Sequence, residues 1–287
     1  MNYRHVFHAG NFADVFKHAI LARLFVHLAR KERPFRFIDT HAGAGRYDLA
    51  SQEARRSPEW RDGVARLVKA RPPAPVAALL APYLEAIGPF NADGRPASYP
   101  GSPALAQALL RPQDRMALCE AHREERERLV AALGRDGRLS IVSTDGYLAL
   151  NAYVPPKERR GVALIDPPCE EPDESARVEK ALARALAKWP RGIFALWRPI
   201  KTPLEDARFL NAIGALGAPN ILRLELDVGS VAPSAHSPNP LSRAGLLVVN
   251  PPFGLIEEAR LIMPWLTRLL QRDAHGGFVC AWLTEPK

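Results

Sequence analysis

Residues Arg36–Leu49 read RFIDTHAGAGRYDL, and this stretch decides the fold. Phe37 and Ile38 form a short apolar run suited to a buried strand, and Asp39 ends it. Gly43 and Gly45 follow with only Ala44 between them, so the backbone can turn sharply and approach a ligand closely. This is a nucleotide-type loop. A triphosphate-binding version requires Gly-Lys-Ser/Thr after the turn, and here Gly45 is followed by Arg46 and Tyr47. A dinucleotide-binding version requires a third small residue where helix and strand pack closely, and Asp48 stands at that position. What remains is an acidic strand end followed by an Ala-Gly-Ala-Gly turn.

That form looks like motif I of class I S-adenosylmethionine (SAM) methyltransferases, and a second element strengthens the likeness. Val162–Cys169 reads VALIDPPC: an apolar run, an aspartate, then two prolines. Each proline fixes its own φ and turns the residue before it away from helix, so the chain leaves the strand extended and the Asp166 carboxylate is held at the tip. Asp-Pro-Pro after a strand resembles motif IV of amino-methyltransferases. Its geometry suits an exocyclic amine whose lone pair is delocalised into a base. Asp166 and the Pro167 carbonyl can each accept one amine hydrogen, which favours a more tetrahedral nitrogen attacking the methyl in line.

Composition bounds the rest. The chain has 287 residues and 47% apolar content, enough for one large α/β domain with a proper core. Its formal charge of +8 points to a polyanionic partner contacted through phosphates. Cys119, Cys169 and Cys280 are widely spaced and odd in number, which makes neither a disulfide framework nor a paired zinc site. Neither a membrane-spanning run nor a signal-peptide core is evident, so a cytoplasmic protein is expected.

The chain alternates helix and strand as a doubly wound sheet requires. Residues 11–31 carry apolar positions at helical spacing and predict an N-terminal helix. Seven strands are expected, near Arg36–Asp39, Met116–Glu120, Leu139–Ser143, Val162–Asp166, Gly192–Trp197, Ile221–Val228 and Gly245–Asn250. The long connection 46–100, with helical patterns around Trp60–Lys69 and Val76–Ile87, reads as an inserted helical subdomain suited to substrate recognition. Glu120 closes the second strand, where a carboxylate can take the ribose hydroxyls of a cofactor. Asp145 and Gly146 follow the third, placing a carboxylate for the adenine amine and a close backbone approach. Ser102-Pro103 reads as a helix N-cap with proline at N1, and such an N-terminus also suits a carboxylate.

An N-terminal block, YRHxFHAGNxADVxKH over residues 3–18, is followed in order by DTHAGAGRY, YPGSP and LIDPP. Together these closely resemble the RlmJ family of bacterial 23S rRNA (adenine-N6)-methyltransferases over essentially the whole chain. The resemblance implies a class I SAM-dependent methyltransferase fold, Rossmann-like with seven strands, with SAM as cofactor. By matching position it implies that His18, His41, Ser102, Glu120, Asp145, Gly146 and Asp166 contact SAM, that Asp166 is catalytic, and that Tyr3 touches the RNA. The expected enzyme is a monomer, or only weakly associating, acting on 23S rRNA that is free or in an early assembly particle.

This chain departs from the family pattern where motif IV should end in an aromatic that stacks on the flipped base. Cys169 stands there. Stacking contributes about 1 to 3 kcal/mol per base, so another platform, Tyr3 or Trp197, is needed, or the base binds less tightly. A thiol there also opens a rival chemistry, a cysteine nucleophile of the cytosine-C5 type. A further alternative is a non-catalytic RNA-binding protein with a vestigial cofactor pocket. Asn250-Pro251-Pro252-Phe253 fits the motif IV pattern better than Asp166–Cys169 does, but it follows the seventh strand and reads as a strand exit with a buried aromatic. His5, His8, His122, His236 and His275 lack ligand spacing, so no metal site is expected.

Overall fold

Asn11 opens the first helix, α1 (Phe12–Ala29), by accepting a hydrogen bond from the Asp14 N–H with its side chain. Nearly every residue of α1 is buried, as befits a helix that is apolar almost all round. The structure is a computed structural model that describes residues 4–91, 96–233 and 240–285. Strand β1 (Arg36–Asp39) leads through the glycine turn to β2 (Arg46–Asp48), then to α2 (Gln52–Arg56), α3 (Val64–Leu67) and α4 (Ala74–Ile87). Strand β3 (Ser98–Pro100) pairs antiparallel with β2 and runs into α5 (Ser102–Leu109). Strict alternation follows: β4 (Arg115–Cys119), α6 (Arg123–Leu133), β5 (Leu139–Val142), α7 (Gly146–Tyr153), β6 (Gly161–Ile165), α8 (Glu174–Lys188), β7 (Ile193–Pro199) and α9 (Pro203–Gly214). The chain closes with β8 (Ile221–Asp227), β9 (Arg243–Val249), α10 (Leu255–Leu270) and β10 (Gly277–Thr284).

The main sheet has the order β5-β4-β1-β6-β7-β9-β8-β10. Strands β1, β4, β5, β6 and β7 are parallel; β9 runs antiparallel to both β7 and β8, and β10 antiparallel to β8. The path moves outward from β1 to β5, then crosses back to β6 on the other side of β1. That reversal opens a crevice at the carboxyl ends of β1, β4 and β6, where ligands of open α/β sheets bind.

All seven expected strands are present; β10, the eighth strand of the main sheet, and the short β2–β3 pair are ones the sequence did not announce. Strand β10 lies at the sheet edge, half-exposed along both faces, so its residues show no clean alternation of apolar and polar. The described part of the connection 46–100 holds α2, α3 and α4 between the paired strands β2 and β3, and α4 packs into the main body. Val76, Leu80, Tyr83 and Ile87 of α4 share one core cluster with α1 and β1. A second cluster, on the opposite face of the sheet, joins α7, α8 and α9 to the same strands.

The expectation of a buried aromatic at Phe253 is corrected: its side chain is fully exposed. Because β9 is antiparallel to β7, its exit lies at the opposite edge of the sheet from Asp166. There Asn250 donates to the carbonyls of Pro190 (2.9 Å) and Gly192 (2.8 Å), tying off the strand.

One buried arginine fastens three helices. Arg23 of α1 makes a bidentate pair with Glu258 of α10 (2.8 and 3.0 Å) and donates to the Leu79 carbonyl of α4 (3.2 Å). Glu258→Ala should lower the unfolding free energy by about 3 to 5 kcal/mol, because it strands a buried guanidinium. Urea denaturation checks this, with Arg23→Met combined with Glu258→Leu expected to recover much of the loss.

Candidate active site

A cavity of about 510 Å³ lies at the crevice. Its floor is the glycine turn, where Gly43 and Gly45 hold φ of 61° and 73°. A Cβ on Gly43 would lie 2.2 Å from the Tyr47 hydroxyl oxygen, so both conformation and space demand glycine. Glu120, just past β4, accepts from the backbone N–H groups of Gly43 and His122, both at 2.8 Å, and burial raises its pKa. Asp39 at the tip of β1 is wholly buried. Burial pushes its pKa up to about 7; the Ser102 hydroxyl, donating at 2.6 Å, works in the opposite direction, and the charge of Asp166 adds to the rise. Ser102 is therefore not the N-cap of α5. Gly101 takes that position, Ser102 is the first helical residue, and its hydroxyl is committed to Asp39.

The carboxylate of Asp145 caps α7, accepting from the N–H groups of Tyr147 (2.9 Å) and Leu148 (3.0 Å) through Oδ1. Its Oδ2 accepts from Arg177 at 2.7 Å. Both oxygens are thus engaged, one of them by a half-exposed side chain that a ligand can displace. Gly146 begins α7 where a Cβ would sit 2.2 Å from the Thr40 carbonyl oxygen. His41 shares a hydrogen bond between Nδ1 and the Thr40 hydroxyl (2.7 Å), and burial lowers its pKa to about 4. His18 shares one between Nδ1 and the Tyr99 hydroxyl (2.7 Å), which meets the Tyr83 hydroxyl at 2.8 Å. Burial lowers the His18 pKa to about 3. Both imidazoles are neutral at physiological pH, so they offer hydrogen bonds rather than charge. His18 Nε2 is buried with no hydrogen-bond partner among the described residues.

His18, His41, Ser102, Glu120, Asp145, Gly146 and Asp166 all line this one cavity. An unpartnered imidazole nitrogen, a carboxylate fastened beside a glycine turn, and a cavity of this volume fit an adenosine-type cofactor. Tyr3 lies outside the described residues.

The sequence reading missed Lys17. Its ammonium is buried, 2.5 Å from Asp166 Oδ2 and 2.9 Å from Asp14 Oδ1. Burial works against the charge, yet Asp14 and Asp166 more than offset it, and the lysine pKa rises above its usual range. Asp14 in turn accepts from the Gly10 N–H (2.9 Å) and meets His5 Nε2 at 2.9 Å. Burial opposes its ionisation, but His5 and Lys17 hold its pKa well below the ordinary carboxylate value. The result is a His5–Asp14–Lys17–Asp166 chain of contacts. The available signal was an Asp-x-x-Lys pair at helical i, i+3 spacing inside a mostly apolar helix.

His5, Lys17 and Asp166 also line a second cavity of about 830 Å³, bounded by Cys169, Trp197, Pro199 and Lys201 among others. Cys169 has a left-handed φ of 53°, its carbonyl accepts from Lys201 (3.2 Å), and burial pushes its thiol pKa up to about 12. Asp166 therefore stands between two cavities.

The comparisons agree with this architecture. A family model described as ribosomal RNA large subunit methyltransferase D, RlmJ, matches residues 32–284. The chain is 36% identical over 283 residues to ribosomal RNA large subunit methyltransferase J of Escherichia coli, covering 99% of each chain. It is 34% identical over 285 residues to the protein of the same name from Haemophilus influenzae, again covering 99% of each. A crystal structure of a Legionella pneumophila protein superposes with a TM-score of 0.86 at 30% identity, covering 96% of this chain and 98% of that one. With a family model spanning most of its length and two relatives alike from end to end, this chain belongs to the RlmJ family of ribosomal RNA large subunit methyltransferases.

Proposed function

We propose that this protein moves a methyl group from SAM to the N6 amine of an adenine in 23S rRNA, acting as a monomer on free rRNA or an early assembly particle. The observation that carries this reading is the state of Asp166. Its Oδ2 is fixed by Lys17, while no hydrogen bond reaches its Oδ1 among the described residues. A carboxylate with one oxygen anchored and the other open, on an Asp-Pro-Pro exit between two cavities, is set to accept a hydrogen bond from an incoming amine.

In the cofactor cavity, Glu120 takes the ribose hydroxyls, Asp145 and Gly146 the adenine end, and Ser102 at the start of α5 the amino-acid end. His18 and His41 add neutral hydrogen-bonding groups. Bound SAM supplies an electrophilic methyl. Asp166 Oδ1 and the Pro167 carbonyl accept the two amine hydrogens, which draws the nitrogen lone pair out of conjugation with the ring. As the nitrogen gains its methyl, the electrons of the broken methyl–sulfur bond would stay with the cofactor's sulfur, and the proton shed leaves along the hydrogen bond to the Asp166 carboxylate. Lys17 positions Asp166 throughout. Cytosine-C5 chemistry at Cys169 is disfavoured because it needs a thiolate, and this thiol is held protonated. The 46–100 connection and the net charge of +8 suit phosphate contacts with RNA.

Incubation with labelled SAM and under-methylated rRNA, followed by mass spectrometry of the nucleosides, should give N6-methyladenosine in the 23S fraction. Finding 5-methylcytidine, or no transfer, would overturn the proposal. Asp166→Ala should lower kcat by about a hundredfold or more while SAM affinity, read by calorimetry, changes little. RNA affinity should fall linearly with salt on a log–log plot.

Asp39 yields a pH test. Its folded pKa of about 7 lies above its ordinary value of 3.8, so its stabilising contribution is complete below that ordinary value and is lost as pH rises towards and through 7. Asp39→Asn should hold its stability across this window. Urea midpoints at pH 4 and pH 8 should show wild type losing a few kcal/mol, on the order of the linkage estimate, relative to the variant.

A further inference from the structure

The second cavity contains a substitution that calls for a counterpart. Where motif IV would place an aromatic face against the target base, Cys169 presents a thiol, which has no π-surface to offer. Among the residues that bound this cavity, Trp197 has the largest aromatic surface, and it sits at the carboxyl half of β7, the strand paired with β6 beside Asp166. Two features of Trp197 exceed what a packing role requires. Its indole N–H is buried without a hydrogen-bond partner among the described residues, a cost that Leu or Phe at the same place would not incur. The Lys17 ammonium lies 5.7 Å from its ring centroid, so the cation that fixes Asp166 also orients the indole.

We propose that Trp197 is the stacking platform for the target adenine in this protein, replacing the motif IV aromatic that Cys169 lacks. Asp166 takes the amine and Trp197 holds the ring, with Lys17 fixing the distance between the two. The inference rests on the adenine methyltransferase reading above. Cys169 sits at a left-handed φ of 53°, where a bulky side chain is strained, so unchanged SAM affinity in Cys169→Tyr is required before its rescue is read.

Four proteins test it: wild type, Trp197→Leu, Cys169→Tyr and the double variant, each assayed for kcat and KM on an unmodified 23S rRNA fragment. Trp197→Leu should raise KM for RNA by roughly ten- to a hundredfold, the scale of one lost base–aromatic stack. Cys169→Tyr in that background should recover most of the loss, and Trp197→Phe, which keeps a ring, should lose little. SAM affinity should be equal in all variants, which shows that each is folded. A double variant no better than Trp197→Leu, or a Trp197→Leu protein with unchanged KM, would overturn the assignment. Absence of N6-methyladenosine with wild type would instead overturn the underlying function.

Discussion

The buried ammonium of Lys17 is the contact on which the site depends. It joins a central helix to the tip of β6, groups 149 residues apart in the chain, and does so as a cation between two carboxylates. Taking three charges out of water is unfavourable unless each is paired, and here each is. Asp14 is tied to the Gly10 N–H and His5, and Asp166 keeps one oxygen open. The arrangement sets the direction of the Asp166 carboxylate before any substrate arrives, which is what preorganised catalysis requires.

Around that anchor the cofactor cavity sets two buried, neutral imidazoles among its carboxylates. Burial makes His18 and His41 neutral and brings Asp39 to half-ionisation near pH 7. A sulfonium is itself cationic, so neutral imidazoles avoid repelling it, while the carboxylates of Glu120 and Asp145 are held in place by backbone N–H groups. The same low exposure accounts for the unpartnered His18 Nε2, which a packed protein core seldom tolerates without a ligand to satisfy it.

The sheet explains why these groups meet. Parallel strands place every carboxyl end on one edge, and the reversal at β1 leaves a gap there. Seven candidate residues from six separate stretches therefore line a single cavity. By the same rule the Asn250-Pro251-Pro252-Phe253 sequence is excluded from it. Its strand runs the other way, so an equally good motif ends on the far edge with Phe253 in solvent.

What the sequence determined by itself was local or periodic: the strand–turn at Arg36–Leu49, the proline-locked Asp166, the order of seven strands, and the N-terminal block of the family. The first three follow from φ restrictions and side-chain alternation, which act over a few residues, and the block was legible only by its resemblance to the family. Edge strand β10 escaped because partial exposure on both faces erases alternation. The roles of Lys17 and Ser102 were decided only in three dimensions. Lys17 reads as one half of an i, i+3 pair, and Ser102 reads as a cap. Lys17 keeps its Asp14 pair but adds Asp166, and Ser102 takes Asp39, both from distant strands; a buried charge or hydroxyl takes whichever partner the packing brings within reach.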